Sequence, residues 1–356
     1  AGQVDGYEKQ GATVFKGVGR LAGRGVVDVD GHRLHAEHVI IATGSDAAIP
    51  PIDGINDVPA WTNREATTLR DIPDRVVLVG GSAVGVELGQ FLRRFGAQVT
   101  IIQSADRLLN REDPRIGQLT KAYLEAEGVD VRLNRTAQRA RKNGDSTVLT
   151  LDDGSEIVTD VVVFGTGRTP RVTDIGLDTI GVHPDEAGLT VDERCSVTDG
   201  VWGIGDVTGV MPFTHVAMYQ GRVVADNIIG RPRTANYTGI PRVVFADPEV
   251  AAVGLHEQQA RDRGLDVATA EVSLANAIAR PWTYEKDPRG HLGLVADRRA
   301  GVLVGAWAVS AQASEWIHQA AQAIRTQIPV STLVDGVTQF PTYSEAYLKV
   351  LEKLDL

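Results

Sequence analysis

Hydrophobic and polar positions change their period sharply between residues 76 and 103. Val76–Val79 are four consecutive apolar residues, mostly β-branched, which is typical of a buried parallel strand. After a glycine-rich turn the apolar spacing becomes helical and predicts a helix that ends at Gly96. The predicted inner face of this helix carries Val84, Leu88, Phe91, Leu92 and Phe95. A second strand is predicted over Gln98–Gln103, at the distance expected within a βαβ unit.

The turn between that strand and helix has the form of a dinucleotide-binding motif. Gly80 and Gly85 fill the first and third glycine positions of G-x-G-x-x-G, and Ser82 stands at the second. Backbone N–H groups and the positive end of the helix dipole meet in such a turn and favour a pyrophosphate. The residues expected to border it are Gly80, Gly81, Ser82, Val84 and Gly85. An ordinary strand-to-helix turn is the alternative.

A β-hairpin followed by an apolar strand that ends in Thr-Gly occurs twice. The first strand with its Thr-Gly end covers Val39–Gly44, and the second covers Val161–Gly167. Each follows a hairpin with an Asp-Gly turn. The copies flank the glycine motif, so we predict one domain interrupted by another. A further short strand, Val201–Gly205, leads into Asp206, which can accept hydrogen bonds from sugar hydroxyls. Taken alone, this Gly-Asp pair is more typical of a plain turn.

The pattern after Pro232 is that of an antiparallel sheet with helices. The boundary is predicted near Tyr237–Ile240. Strands are predicted near residues 243–245, 250–254, 267–274, 291–296 and 302–309, with helices near 256–263 and 313–326. Such a mixture indicates an α+β domain.

Composition narrows the class of protein. The 356 residues are 43% apolar and include 38 glycines, which suits a glycine-rich α/β protein of two or three domains. A net charge of −10 argues against nucleic acid or an anionic membrane as partner, because their phosphates would be repelled. The one cysteine, Cys195, lies in a strand-like stretch, Val191–Ser196, and we expect a structural thiol in a reducing, cytoplasmic setting. The histidines show no metal-ligand clustering.

Together these motifs resemble the flavin-dependent pyridine nucleotide-disulfide oxidoreductases over essentially the whole chain. The resemblance implies an α/β fold with two dinucleotide-binding (Rossmann-like) domains, the FAD one incomplete and interrupted by the NAD(P) one, plus a C-terminal α+β dimerisation domain. The implied bounds are 1–57 with 164–238 for FAD, 58–163 for NAD(P) and 239–356 for dimerisation. It also implies a homodimer that uses FAD and NAD(P)H. Because nothing here resembles the family's first glycine motif and redox cysteine pair, we interpret the chain as a fragment; a lost flavin half-site is the alternative.

The resemblance also assigns residues to the FAD site. The strand ends implied to face FAD are Thr43, Gly44, Gly167, Arg168, Gly205 and Asp206. Asp206 would bind the ribitol chain. Thr214, His215 and Ala217 begin the next helix, whose N-terminus would face the pyrimidine edge of the flavin and stabilise negative charge there. His215 is as consistent with a structural role.

The other implied cofactor contacts concern the nicotinamide nucleotide. Glu87 would lie at the nicotinamide end, and a helix N-terminal acid stabilised by the dipole is the alternative. Gln103, Ser104 and Arg107 would lie near the adenine ribose. Because position 103 carries no acid and Arg107 is as consistent with a solvated surface residue as with a phosphate contact, the choice between NADH and NADPH stays open.

The identity of the electron acceptor is the property that the sequence determines least. Residues 111–117 and Ser82 are similar to mercuric reductases, whereas residues 103–107 are similar to soluble transhydrogenases. Phe340 replaces the histidine of the family's His-Pro-Thr-x-x-Glu element and cannot move a proton, which leaves Glu345 and Tyr343 as catalytic candidates. We therefore expect a metal ion such as mercuric, a quinone, oxygen or another nicotinamide more than a small disulfide. A catalytically silent dimeric fragment that only binds a nicotinamide nucleotide is the alternative.

Overall fold

The structure is a computed structural model that describes residues 2–356, with side chains from Val4 onward. The strands are β1 (Gly19–Leu21), β2 (Val26–Val29), β3 (His32–His35), β4 (Val39–Ile41), β5 (Ser45–Ala47), β6 (Ala60–Trp61), β7 (Arg75–Val79), β8 (Gln98–Gln103), β9 (Asp130–Leu133), β10 (Ala137–Asn143), β11 (Ser146–Leu151), β12 (Glu156–Thr159), β13 (Val161–Phe164), β14 (Arg168–Pro170), β15 (Ser196–Thr198), β16 (Val201–Gly203), β17 (Pro241–Val244), β18 (Glu249–Gly254), β19 (Val267–Ser273), β20 (His291–Asp297) and β21 (Val302–Ser310). The helices are α1 (Gly2–Glu8), α2 (Asn63–Ala66), α3 (Ala83–Arg94), α4 (Pro114–Ala126), α5 (Thr214–Ile228), α6 (Glu257–Asp262), α7 (Leu274–Ala277), α8 (Ala313–Trp316), α9 (His318–Thr326), α10 (Val330–Val334) and α11 (Glu345–Leu351).

The described chain divides into two units. The first consists of the residues up to Asp46 together with Arg168–Asn236, and the second of Ala47–Gly167 together with Tyr237–Leu356. Residues 47–57 and 164–167, expected in the first domain, therefore belong to the second unit. The C-terminal segment and the expected NAD(P) segment share that second unit.

The second unit contains a five-stranded parallel sheet in the order β6-β13-β7-β8-β9. Its central strand β7 is buried from Val76 to Val79, as a parallel strand covered on both faces requires. Along the chain, β8 and β9 follow on one side of β7, and β13 returns on the other side. The strand order thus reverses at β7, and such a switch point opens a crevice at the carboxyl ends of the strands.

The C-terminal segment forms a five-stranded antiparallel sheet in the order β17-β18-β21-β20-β19. Its strands agree closely with those predicted from the sequence. One hydrophobic cluster joins this sheet to the parallel sheet and its helices, and it includes Val250 and Trp307 beside Leu92 and Ile116. The two parts of the second unit therefore share a core.

The first unit is built from smaller sheets. The strands β15, β16 and β4 form one sheet in which β16 lies parallel to β4 and antiparallel to β15. The strands β1, β2 and β3 form an antiparallel sheet, and the predicted Asp-Gly turn at Asp30–Gly31 joins β2 to β3 with φ angles of 51° and 89°. Both positive values match the turn type that suits a two-residue hairpin. The predicted α/β fold class, with its C-terminal α+β part, is confirmed.

Two local predictions were wrong. Helix α3 turns Gly85 and Gly89 toward the sheet, while Phe91 and Phe95 are exposed and pack on each other. A Cβ on Gly89 would lie 2.9 Å from Ile101, so the absence of side chains permits an approach that apolar counting misses. Cys195 lies in a turn with a φ of 65°, not in a strand, and is fully buried.

Within residues 2–356, no helix combines the length and the apolar character needed to cross a bilayer.

Candidate functional site

The glycine turn lies at the switch point of the parallel sheet. Gly80 continues from β7 with a φ of 109°, and Ser82 is the N-cap of α3. The serine hydroxyl does not cap the helix but donates to the carbonyl of Gly165, 2.6 Å away. The first N–H groups of a helix have no partner within the helix, so those of α3 are directed into the crevice without a side-chain cap. Val84, half-buried, belongs to this first turn.

Close packing makes the two outer glycines of the motif necessary. A Cβ on Gly80 would lie 2.4 Å from the carbonyl oxygen of Gly165, and one on Gly85 would lie 1.9 Å from that of Gly80. Both obstacles are backbone atoms, so a side chain at either position would displace the strand end or the helix. The strand that precedes Gly165 is β13, so the second Thr-Gly segment packs directly against the glycine turn. Gly167 follows it with a φ of 130° and is exposed.

The expected ribose contacts lie at the end of β8. Gln103 is only 8% exposed, and its side chain accepts from the N–H of Gly81 and donates to the carbonyl of Arg107. Ser104 is exposed. The guanidinium of Arg107 lies against Asp106 and donates to the carbonyl of Asn110, 3.1 Å away. The structure therefore ties the side chains at positions 103 and 107 to the protein and leaves Ser104 accessible.

Glu87 lies one turn into α3 and is half-buried. Its Oε1 accepts a 2.7 Å hydrogen bond from the backbone N–H of Phe245, just beyond β17. Burial raises the pKa of Glu87 above its usual value of 4.5, and the Phe245 N–H opposes that shift only in part. The carboxyl group thus connects the helix of the glycine turn to the C-terminal sheet.

The raised pKa of Glu87 predicts how stability depends on pH. Because the folded state holds this proton more tightly than the unfolded state, the contribution of Glu87 favours folding below pH 4.5 and is lost as the pH rises through the folded pKa. We expect Glu87→Gln, which keeps an acceptor for Phe245, to gain stability relative to the wild type from pH 4.5 to pH 7. Urea unfolding at both values measures this difference.

Glu65 provides the opposite sign as a control. Hydrogen bonds from Thr62 lower the pKa of Glu65, so its contribution is present above its usual value of 4.5 and is lost on acidification. Most of this change falls below pH 4.5, so relative to the wild type Glu65→Gln should lose stability as the pH rises from 3 to 4.5, where the same unfolding measurement is made. If the two variants change in the same direction, the assignment to Glu87 is wrong.

In the first unit, Asp206 lies among polar side chains at the end of β16. Its Oδ2 accepts from the hydroxyl of Ser45 at 2.6 Å and lies 3.3 Å from Nε of Arg168. Arg168 also donates to the hydroxyl and the carbonyl of Ser45. The Asp206 side chain is 23% exposed, so the carboxylate is held in one orientation and still reaches solvent. The structure brings Arg168 and Asp206 together, as the motifs at the strand ends predict.

Gln220 is a site residue that sequence reasoning missed. It is fully buried on α5, and its Oε1 accepts from the N–H of Gly205 at 2.7 Å. Gly205 itself has a φ of 77°, and a Cβ there would lie 3.3 Å from Ala217. A glutamine within the apolar face of a predicted helix was the only sequence signal for this contact. It follows that Ala217 packs against the glycine turn before Asp206.

The remaining FAD candidates lie in the same unit. The Thr43 hydroxyl donates to the carbonyl of Arg171 at 2.7 Å, and Gly44 has a φ of 74°. Thr214 and His215 are exposed in the first turn of α5, which has no side-chain cap. The ring of His215 stacks on Phe213 at 5.3 Å. The start of this 15-residue helix thus offers N–H groups to a ligand.

Tyr343 and Glu345, the two catalytic candidates near the C-terminus, make contacts that are typical of structural residues. Tyr343 is 6% exposed and stacks on Trp316, and burial with the nearby Glu285 carboxylate raises the pKa of its phenol. A raised pKa makes the phenol a weaker proton donor. Glu345 accepts from the N–H of Thr342 at 2.9 Å at the start of α11. Phe340, by contrast, is 75% exposed.

The fold and these glycine turns define an α/β protein of the dinucleotide-binding class. Comparison with known families agrees. Residues 2–221 match the model of the pyridine nucleotide-disulphide oxidoreductases, and residues 240–351 match the model of their dimerisation domain. The chain belongs to the pyridine nucleotide-disulphide oxidoreductase family, as its motifs predict. Members of this family are flavoproteins that use FAD and NAD(P)H.

Relatives with assigned activities are similar across most of the chain. A mercuric reductase of Shigella flexneri is 37% identical over 92% of this chain and 57% of its own length. A mercuric reductase of Staphylococcus aureus is 31% identical over 96% of this chain and 63% of its own length. A dihydrolipoyl dehydrogenase of Geobacillus stearothermophilus is 33% identical over 89% of this chain and 68% of its own length. The chain thus spans less than two thirds of these two mercuric reductases.

Among solved structures, the HOCl-induced flavoprotein disulfide reductase RclA from Escherichia coli is similar to this chain. The TM-score is 0.88 and the sequence identity is 27%, over 96% of this chain and 79% of that protein.

Proposed function

We propose that the chain acts in a flavin-dependent oxidoreductase that passes a hydride from NAD(P)H to FAD and then electrons to an acceptor, as a homodimer. The observation that carries the proposal is the glycine turn after β7, at the switch point of the parallel sheet and with no side chain capping α3. Family membership supports the flavin and the dimer. A cytoplasmic location stays a prediction.

The proposal assigns the NAD(P)H site to the glycine turn. The turn from Gly80 to Gly85 would border the diphosphate, Glu87 the nicotinamide end and Ser104 the adenosine ribose. Arg107 is also assigned to the adenosine end of the nucleotide. To contact it, Arg107 would have to break its ion pair with Asp106. In domain terms, we assign residues 58–163 to NAD(P) binding and residues 239–356 to dimerisation.

The proposal assigns FAD to residues 1–57 and 164–238. The donor set of Asp206 fits the ribitol chain, because Ser45 and Arg168 engage Oδ2 and leave Oδ1 for a sugar hydroxyl. The uncapped start of α5 fits the anionic edge of a reduced flavin. The other proposed FAD contacts are Thr43, Gly44, Gly167, Thr214, His215 and Ala217. When bound, FAD supplies the hydride acceptor, and this chain orients it.

The acceptor is proposed to be something other than a small disulfide. Phe340 carries no proton-transfer group, and the carboxylate of Glu345 accepts from the N–H of Thr342, ahead of its own helix. The proposal therefore treats Glu345 and Tyr343 as structural residues. The mercuric reductases among the relatives favour a metal ion such as mercuric as the first acceptor to test.

Absorbance of oxidised flavin, and its bleaching by NADPH or NADH, tests the proposal in the complete gene product. We expect Asp206→Ala to lower flavin retention at least tenfold, because a charge-assisted acceptor is lost. Asp46→Ala is the matched control: that aspartate lies in the same unit but pairs with Arg171 at an exposed position. It should retain flavin.

Two results would count against the proposal. Complete gene product that is purified mildly without flavin, and that does not bind added FAD, contradicts the flavoenzyme. If such protein still binds NAD(P)H, the silent nucleotide-binding alternative is correct. If the two aspartate variants lose flavin equally, Asp206 is not the ribitol contact.

A further inference from the structure

Gln103 lies between the glycine turn and the loop that follows β8. Its amide oxygen accepts from the N–H of Gly81 at 3.0 Å, and its amide nitrogen donates to the carbonyl of Arg107 at 3.2 Å. The residue is the last of β8 and is 8% exposed. Both functional groups of the amide are therefore used inside the protein.

The same loop holds Gly81 from its other side. The N–H of Leu109 donates to the carbonyl of Gly81 at 2.8 Å. A Cβ on Gly81 would lie 2.5 Å from the Leu108 side chain and 3.2 Å from Cβ of Gln103, so both residues pack closely on this glycine. Residues 103–109 thus bind both polar groups of Gly81 and enclose it sterically.

We infer that Gln103 is a positioning residue that holds the diphosphate-binding turn in place, and that it does not read the adenosine ribose. This inference rests on the proposed NAD(P)H site. An acid at the end of this strand would accept the ribose hydroxyls in an NAD-binding Rossmann domain. The Gln103 amide is turned into the protein, because its oxygen accepts from Gly81 and its nitrogen donates to Arg107. An ionised acid at this position could accept from Gly81 but could not donate to the carbonyl of Arg107, whereas the amide does both.

It follows that selectivity between NADH and NADPH arises at the exposed residue beyond Gln103. Ser104 is the accessible side chain there. An acid at Ser104 would repel the 2′-phosphate of NADPH and accept the 2′-hydroxyl of NADH. Removal of the Gln103 amide would instead disturb the diphosphate turn, which both coenzymes share.

Three variants of the complete protein test this inference, with Kd measured for NADH and NADPH by calorimetry. Gln103→Met should weaken both coenzymes by the same factor, about tenfold, because a buried donor and acceptor are left unpaired. Ser104→Asp should change the ratio of the two Kd values by about tenfold in favour of NADH. Gln90→Leu is the control: its amide is also buried in the second unit but bonds Asp247, and both Kd values should stay unchanged.

Hydrogen exchange at the Gly81 amide, taken relative to the buried amides of β7, separates a local change in the turn from general destabilisation, which lowers the protection of both. The protection of Gly81 relative to β7 should fall in Gln103→Met and stay unchanged in Ser104→Asp and in Gln90→Leu. Gln103→Asn is one methylene too short to reach both partners and repeats the test with less disturbance of the core.

The outcomes separate the inference from the proposed function. A wild type that binds neither coenzyme overturns the proposed nucleotide site and the inference together. If the wild type binds and the Gln103 variants change the ratio of the two Kd values, Gln103 reads the ribose and the inference alone is wrong. Unchanged exchange at Gly81 in those variants also overturns it.

Discussion

Gly85→Ala is expected to abolish NAD(P)H binding and to lower the free energy of unfolding by about 3 kcal/mol. The new Cβ would lie 1.9 Å from the carbonyl oxygen of Gly80, so either α3 or the strand end must move. Because the first N–H groups of α3 form the proposed diphosphate site, that movement misdirects them. Isothermal calorimetry with NADH and NADPH, together with urea unfolding, measures both effects.

Gly221→Ala is the matched control for this substitution. Gly221 lies inside helix α5, where a Cβ would meet only Ile204 at 3.9 Å, an ordinary contact. Alanine should therefore leave nucleotide binding unchanged and add about 0.5–1 kcal/mol to stability. Normal nucleotide binding by folded Gly85→Ala would contradict the assignment of the turn.

Gln90→Leu is expected to destabilise the second unit by about 3 kcal/mol. Gln90 is 5% exposed, and its amide bonds both the N–H and the carbonyl of Asp247 at 2.7 Å and the carboxylate of Glu127 at 3.0 Å. Leucine fills the space but leaves these groups without their partner. Since Asp247 belongs to the C-terminal sheet region and Gln90 to α3, the loss falls where the two parts of the unit share a core.

Urea unfolding followed by tryptophan fluorescence measures this effect. Gln118→Leu is the control, because Gln118 lies on the exposed face of α4, where such a change stays within about 0.5 kcal/mol. Equal stability of the two variants would mean that the amide of Gln90 contributes nothing beyond its volume.

The sequence predicted the strands around the glycine motif better than it predicted which face of the following helix is buried. The strand Val76–Val79 was predicted because a continuous β-branched run is typical of a strand buried on both faces. The inner face of α3 was right for Leu88 and Leu92 but wrong for the two phenylalanines, because apolar counting assigns no value to glycine. Gly85 and Gly89 have no side chain to bury, yet this is the reason that α3 approaches the sheet so closely.

In the candidate site, too, some features were predicted from the sequence and others were not. The types of residue at the strand ends, such as Gly80 and Asp206, were predicted, since a close approach of backbone to ligand needs glycine and a sugar needs an acceptor. Gln103 was predicted as a ribose contact, but its side chain is directed to Gly81. Gln220 was missed, because a single glutamine in a helix does not indicate which backbone group it bonds.

The sequence by itself determined the order of strands, glycine turns and helices, and with it the family. Those features depend on residues close together in the chain, where backbone sterics and periodicity act. Only the tertiary structure decided the partners of the buried amides, because Gln103, Gln220 and Gln90 bond groups that lie 22, 15 and 157 residues away. A buried amide bonds whichever backbone group the packing of the core leaves without a partner, and no local pattern specifies that group.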